Sequence, residues 1–378
     1  MKEWKMADTD KFKTNYLLKP DCDNVRKRHR DFWQYQPTDC PLLYIKTKKE
    51  RALPVLLADQ NKSRKELELD LPWHIRHCHS QVTVYDFLFD SMPVSVVMFG
   101  RDITNMGVLS GNDFDIHAAT EFITFEQNTD FLFAPTPEFN EDHPFVQKVL
   151  AIYQGVTKNM GHAACINPPA TADAMTTMAM IMGTEKFLRS LSKHPAAVRQ
   201  KALELNRLFY HFYNYIYAYL LESGYGESAS WFPVFVEGKF DSVRSDISVM
   251  LSGKMFAELS LPAIADACSY LDDAMFNLDS VELIRFLQPL SEIKKLNGIY
   301  WNIEPWLDNV TPYLPVLRQI KEMGFLLAIP CKGVADAKLI INALGKNGLL
   351  LEFPVFEEQS QGMAVGEAVA AFAGHCLY

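Results

Sequence analysis

Two polar side chains at the end of an apolar run are the first candidates for chemistry in this sequence. The stretch DDAMFNLDS (272–280) is apolar from Ala274 to Phe276 and then reaches Asn277 and Asp279. Side chains two residues apart share one face of a strand, so we expect these two to lie side by side. A carboxylate can act as a general acid or base, and the amide beside it can orient a ligand.

Eight short apolar runs predict the strands that position such residues, and the segments between them have helical periodicity. The runs span residues 41–47, 94–100, 161–169, 225–233, 272–280, 298–305, 325–332 and 348–355. Continuous apolar strands that alternate with helices are typical of a parallel sheet covered on both faces. Eight of them favour an α/β fold of the closed (β/α)8 TIM barrel type, with a doubly wound open sheet as the alternative.

In a barrel of this type the active site lies at the carboxyl ends of the strands. The residues at those ends are therefore candidates for binding a small-molecule substrate, although any chain also places polar residues where it turns in water. Together with Asn277 and Asp279, they are Lys46, Asn167, Trp231, Trp301, Glu304 and Glu352.

Composition and charge exclude several classes of function. The net charge of -9 and the absence of a long basic run argue against nucleic-acid binding. No apolar stretch approaches the ~18 residues of a membrane span. The scattered cysteines and the polar amino terminus predict a cytoplasmic protein without a signal peptide or a disulfide framework. We expect residues 1–40 to form a helical extension and 41–378 to form the barrel domain.

The cluster WHIRHCHS (73–80) is the densest group of metal-binding residue types in the chain. His74 and His77 fit a helical face, whereas His77 and His79 fit a strand face, so no single conformation aligns all three. Since no second ligand pair follows at a suitable spacing, we predict a solvated helix and no metal site.

The order of segments resembles the uroporphyrinogen decarboxylase superfamily, which includes cobalamin-linked methyltransferases, and within it the uncharacterised bacterial branch. The resemblance rests on an ordered series of stretches, of which SDISVMLSGKMFAELSLPAIADACSYLDDAMFNLDS is the most specific. The series covers residues 29–47, 168–198, 245–280 and 298–305. It implies a (β/α)8 barrel, in agreement with the strand pattern.

This chain departs from the family at two motifs. The Arg-Gln-Ala-Gly-Arg motif of the decarboxylases is replaced by IKTKKERALP (45–54), and lysine does not grip carboxylates bidentately as arginine does. The zinc-binding His-x-Cys pair of the methyltransferases is replaced by Asn277-Leu278-Asp279, and no cysteine lies near the last predicted strand. We therefore expect neither uroporphyrinogen decarboxylation nor a zinc–thiol site; a Mg²⁺ site of Asp279, Glu352 and Asp246 is a minor alternative.

Asp246 stands where the family places an acid after the fourth strand. We expect Asp246 and Asp279 to face each other across the barrel mouth, where mutual repulsion would raise one pKa toward neutrality. The resemblance implies an enzyme related to corrinoid-linked methyl transfer, with the corrinoid on a partner protein. The alternatives are a decarboxylase or lyase acting on a carboxylated, tetrapyrrole-like substrate, or a barrel that binds a ligand or partner without catalysis.

Overall fold

Seven strands form the main sheet of the protein, which we describe from a computed structural model. The structure describes residues 16–50, 62–99, 103–117, 123–303 and 310–374. The strands are β1 Leu42–Lys48, β2 Tyr85–Phe89, β3 Val94–Ser95, β4 Phe114–Ile116, β5 Ile123–Phe125, β6 Cys165–Ile166, β7 Ser228–Ala229, β8 Phe235–Val236, β9 Ser242–Val243, β10 Met275–Leu278, β11 Gly298–Trp301, β12 Leu326–Pro330 and β13 Leu349–Glu352.

Helices connect and cover these strands. They are α1 Cys22–Trp33, α2 Arg64–Glu68, α3 Leu71–Thr83, α4 Ile103–Leu109, α5 Pro144–Met160, α6 Ala174–Met182, α7 Thr184–Lys193, α8 Pro195–Glu222, α9 Gly253–Met255, α10 Leu261–Tyr270, α11 Leu287–Leu290, α12 Leu314–Glu322, α13 Val334–Leu344 and α14 Gln359–Ala373. Three 3-10 segments (Asp246–Met250, Val281–Phe286 and Thr311–Tyr313) and a π-helical segment (Phe256–Ser260) complete the elements.

The main sheet has the strand order β2-β1-β13-β12-β11-β10-β9, and every pairing except β1 with β2 is parallel. A mostly parallel α/β sheet is thus confirmed. Strand β2 is an antiparallel edge strand that the sequence pattern did not predict. The strand predicted at 225–233 is instead β7, which pairs antiparallel with β8, and β9 takes the place beside β10.

Alternating side chains of the main sheet pack into two separate apolar clusters. On one side, here called the inner face, Leu42, Met275, Tyr300 and Leu350 pack with aromatic residues of α1 and of the β7–β9 region. Their sequence neighbours, such as Leu43, pack on the opposite, outer face beneath the helices. Parallel strands with both faces buried need no polar alternation, which explains their continuous apolar runs.

Helix α1 lies within the predicted 1–40 extension and is tied into the core. Arg26 is 2% exposed and forms an ion pair with Glu227, which also accepts a hydrogen bond from the Tyr16 hydroxyl at 2.6 Å. At the end of α1, the Trp33 indole N–H donates to the backbone carbonyl of Phe235 at 2.8 Å. A buried charge is stable only when it is paired in this way, so the network fixes α1 against the strands.

Helix α14 approaches the sheet so closely that one of its positions must lack a side chain. A Cβ added to Gly366 would lie 2.0 Å from the aromatic ring of Phe89 on β2. The strand pair β1–β2 can therefore be covered by α14 only because this residue is glycine.

The cysteines do not form a disulfide framework among the described residues. Cys22, Cys78, Cys165, Cys268 and Cys331 are free and buried. Cys40 is disulfide-bonded, which departs from the expectation drawn from the scattered spacing. Within the described ranges, no helix is long and apolar enough to cross a bilayer.

Candidate functional site

Three aspartates lie near the carboxyl ends of β9 and β10. Asp246 opens the 3-10 segment that follows β9, and Asp279 follows β10. Since β9 and β10 are parallel neighbours, their carboxyl ends lie at the same edge of the sheet. The third carboxylate, Asp173, is the residue before α6, and its Oδ2 accepts the backbone N–H of Asp246 at 3.2 Å.

The first turn of helix α6 holds the segment that begins at Asp246. Asp173 caps the helix by accepting the backbone N–H of Thr176 at 2.9 Å and the Thr176 hydroxyl at 2.6 Å. The Thr176 hydroxyl oxygen in turn accepts the backbone N–H of Ile247 at 3.1 Å. Asp173 therefore both caps α6 and positions the backbone of Asp246.

Burial and mutual repulsion raise the pKa of two of these acids. Burial is the larger cause at Asp173 and the charge of Asp246 the second, and together they raise its pKa from 3.8 to about 6. The same two causes, in the same order, raise the pKa of Asp279 to about 6, while Arg244 opposes the rise at both sites. A carboxyl that is partly protonated near neutral pH can donate a proton to a ligand.

Asn277 joins this acid cluster from the strand itself. Its side chain is 3% exposed, and its Nδ2 donates to Asp279 Oδ2 at 3.2 Å, which confirms that the two residues share a face. Its Oδ1 is buried and receives no hydrogen bond within the described part of the chain. A buried acceptor without a donor is costly, so a ligand group that donates to it would gain affinity.

Arg285 links the loop that follows Asp279 to the loop that follows Asp246. It lies in the 3-10 segment after Asp279, and its Nη2 donates at 2.8 Å to the backbone carbonyls of Val249 and Leu251, which follow Asp246. Because these acceptors belong to the segment after β9, the arginine holds the two strand ends together.

A second set of polar side chains lies further along the inner face. The Tyr300 hydroxyl reaches past β12, where Ala328 leaves room, and donates to Glu352 Oε2 at 2.7 Å. Lys46 lies two residues beyond Tyr44, which pairs with Glu352 across β1 and β13. Tyr300 is also the cross-strand partner of Asn277, so this group and the acid cluster are contiguous.

The remaining predicted site residues fall in different places. Trp231 is half-buried on the inner face, 5.8 Å from the Tyr300 ring. Both polar groups of Asn167 are engaged, since Oδ1 accepts the Val97 backbone N–H at 2.6 Å and Nδ2 donates to a backbone carbonyl at 2.9 Å. Glu304 lies outside the described residues.

Trp301 is not brought to the acid cluster. It is 3% exposed, belongs to the outer cluster and contacts Tyr313 with ring centroids 5.4 Å apart. Because successive side chains of a strand point to opposite faces, it is its neighbour Tyr300 that faces the site.

The donor set of the described residues does not fit zinc. No group of three or more His, Cys, Asp or Glu side chains among them could hold a metal ion. Cys331, the cysteine nearest the end of β12, donates from Sγ to the Gly333 carbonyl at 3.3 Å, and burial raises its pKa to about 12. A thiolate ligand would require the opposite shift.

The histidine cluster at 73–80 forms part of helix α3, as predicted, but it is not solvated throughout. His74 is fully buried and its Nε2 lies 2.8 Å from the backbone carbonyl of Glu68. His77 stacks on Trp73 with centroids 4.6 Å apart. These contacts give His74 and His77 a role in packing.

A small cleft with a cavity volume of about 50 Å³ lies behind the acid cluster, between α6, α8, β9 and α10. Asp173 and Arg244 line it together with apolar residues such as Phe209 and Ile264. Asp279 and Asn277 do not line it, so we place the candidate site at the strand ends rather than in this cleft.

Comparison with solved structures reveals the same fold in one protein of known class. A methyltransferase from Methanosarcina mazei superposes with a TM-score of 0.57 over 92% of this chain and 98% of its own, at 9% sequence identity. This similarity shows a shared fold. No protein-family model matches the chain, and a search of curated proteins found no match.

Proposed function

We propose that this protein is a methyl-transferring enzyme that works without a zinc–thiol site and uses Asp279 as its general acid. The acid cluster carries the proposal, because it places a carboxyl with a pKa of about 6 at the strand ends. The fold shared with a methyltransferase supports the same class of reaction.

Proton donation is the step that this cluster would supply. When a methyl group leaves an oxygen or nitrogen, that atom gains an electron pair and needs a proton or a Lewis acid to stabilise it. Asp279 in its protonated form would donate that proton and become a carboxylate. Asp173 is unsuited to this role, since Thr176 and the Asp246 backbone already occupy its oxygens.

The neighbours of Asp279 would adjust and orient it. Asp246 favours the protonated form through its negative charge, and Asn277 fixes one carboxyl oxygen through its Nδ2. As the methyl acceptor we propose a corrinoid carried by a partner protein, which would supply a strong metal nucleophile when bound. The residues named here would bind the methyl donor and move the proton.

We further propose that the parallel strands close into a (β/α)8 barrel. The parallel pair β3–β6 would complete the circle between β1 and β9. In support, Ser91, which precedes β3, accepts the backbone N–H of Ile45 on β1 at 2.6 Å. A closed barrel would bring Lys46 and Asp279 to opposite sides of one mouth.

The proposal is tested by incubating the purified protein with reduced free cobalamin and a panel of methyl ethers, methylamines and methyl thioethers, and detecting the demethylated product by mass spectrometry. We expect turnover of one donor class. Asp279→Asn should lower the rate by about 10²–10⁴-fold, the usual contribution of a general acid.

Glu282→Gln provides the matched control, since Glu282 is an exposed acid three residues away that does not raise the pKa of Asp279. Thermal unfolding of both variants establishes that they are folded. Turnover by Asp279→Asn at the wild-type rate, or no turnover of any donor by the wild-type protein, would refute the proposal.

A further inference from the structure

The inner face carries an aromatic wall beside the acid cluster. Phe232 lies 4.7 Å from Tyr300, and Trp231 lies 5.8 Å from it, with the rings at 66°. Tyr300 and Phe232 are buried, whereas Trp231 keeps part of its surface accessible. Flat aromatic side chains bury a large area at low entropic cost, so this wall is suited to a planar ring.

Strand β1 brings an ammonium group to the same face. Lys46 is half-buried, with its Nζ 5.3 Å from the ring centroid of Tyr44 and 5.4 Å from that of Tyr85. It makes no salt bridge with the described residues, unlike its neighbour Lys48, whose Nζ lies 2.6 Å from Glu357. The neighbours of the Lys46 charge are therefore Tyr44, Tyr85 and Glu352, none of which forms a salt bridge with it.

Glu352 is an electrostatic neighbour of Lys46 but forms no salt bridge with it, and its Oε2 accepts the Tyr300 hydroxyl at 2.7 Å. Burial raises the pKa of Glu352, which weakens its negative charge. The pKa of Lys46 is raised, chiefly by Tyr44, so the lysine stays a cation. An anion that enters this region meets one full positive charge.

Asn277 Oδ1 is a buried acceptor without a donor among the described residues. Asn277 is the cross-strand neighbour of Tyr300, so its side chain borders the wall on the side of β10. A ligand hydroxyl or N–H at this position would satisfy the oxygen.

We propose that the inner face binds an aromatic carboxylate, with the carboxylate at Lys46, the ring against Trp231 and a hydrogen-bond donor at Asn277 Oδ1. The inference deepens the proposed function by naming the class of ligand for the same site. One end of such a ligand then meets an ammonium group that forms no salt bridge among the described residues, and the other end meets a buried oxygen that receives no hydrogen bond there. An aliphatic acid would lose the aromatic contact, and a neutral ring would lose the charge.

The test is isothermal titration calorimetry with 3- and 4-hydroxybenzoate, each compared with its neutral hydroxybenzamide and with the saturated hydroxycyclohexanecarboxylate. We expect at least one hydroxybenzoate to bind with a dissociation constant at or below about 1 mM, and both analogues to bind about tenfold more weakly. Benzoate, which lacks the donor for Asn277, should also bind more weakly than the hydroxybenzoate.

Lys46→Met removes the charge while keeping the length of the side chain, and it should weaken the acid about tenfold without changing the amide. Lys48→Met is the control on the same strand and should change neither. Trp231→Leu should reduce the preference for the aromatic over the saturated acid. Unchanged thermal unfolding of the variants excludes a folding defect.

Absence of hydroxybenzoate binding, equal binding of acid and amide, or equal effects of Lys46→Met and Lys48→Met would overturn the inference. Its failure can be told apart from failure of the proposed function through Asp279→Asn. That variant should keep acid binding within about twofold of wild type even though it loses turnover. If the protein binds hydroxybenzoate but turns over no methyl donor, only the proposed function is wrong. If it turns over a methyl donor that is not an aromatic acid, only the proposed ligand class is wrong.

Discussion

Replacing Asp246 by asparagine should lower the pKa of Asp279 by about one pH unit. The pKa of Asp279 rises from 3.8 to about 6 through burial first and the charge of Asp246 second. Asparagine has nearly the same size and removes only the charge, so the effect of burial remains. Asp279 follows the buried strand β10, but its own side chain reaches water at the rim of the site. This water screens part of the repulsion by Asp246, so we expect the fall in the pKa to be less than half of the rise.

The consequence for activity follows from the fraction of Asp279 that carries a proton. With a pKa of about 6, about one molecule in ten is protonated at pH 7, and lowering the pKa by one unit leaves about one in a hundred. A raised carboxyl pKa means that the acid form is present at low pH and is lost as the pH rises through 6. The variant should therefore turn over about tenfold more slowly at pH 7 and at nearly the wild-type rate below about pH 4.

The assay is a ¹³C NMR titration of the aspartate carboxyl carbons, with the Asp279 signal assigned by its loss in Asp279→Asn. Glu282→Gln serves as the control for removal of a nearby charge and should leave the titration unchanged. If the midpoint of Asp279 is the same in Asp246→Asn as in wild type, then Asp246 does not raise it, and the reasoning about the acid cluster fails.

Two further changes test how the site and the fold are held. Arg285→Gln removes the link between the two strand-end loops, so the acids should separate and the NMR midpoint of Asp279 should fall; an unchanged midpoint would show that the arginine does not set their spacing. Gly366→Ala forces a Cβ against an aromatic ring and should lower the free energy of unfolding in urea by about 1–3 kcal/mol. The control Gly253→Ala, which has no neighbour within 4 Å, should stay within about 0.5 kcal/mol of wild type, and equal effects of the two would contradict the packing described for α14.

Strands with flanking helices could be predicted from the sequence, whereas β9 could not. Strands β10 to β13 follow apolar runs that alternate with helical segments, and the structure places all four in the parallel sheet. Strand β9 has only two residues, Ser242 and Val243, between polar neighbours, so no periodicity marks it. Its place in the sheet depends on pairing with β10, which is a tertiary contact.

The candidate site was predictable to the extent that it depends on strand ends. Asn277 and Asp279 share a face because they are two residues apart in a strand, and this needed no structure. Whether Tyr300 or Trp301 faces the site depends on which alternate residues of β11 point inward. Because both residues are aromatic, the sequence does not indicate which of them does. The link from Arg285 goes to backbone carbonyls more than 30 residues away, which no local pattern indicates.

Aromatic residues at the end of helix α1 cover one end of the inner face and so affect where a ligand can enter and leave. Phe32 and Trp33 pack on the inner face with Leu42 and Met275, the first residues of β1 and β10, and so cover its amino end. The opposite, carboxyl end of the same face is polar and partly exposed. In the proposed closed barrel, substrate and product would then enter and leave at the same end, so a product would compete with its own substrate. The proposed corrinoid protein, seated at that end, would have to leave before each exchange of product for substrate.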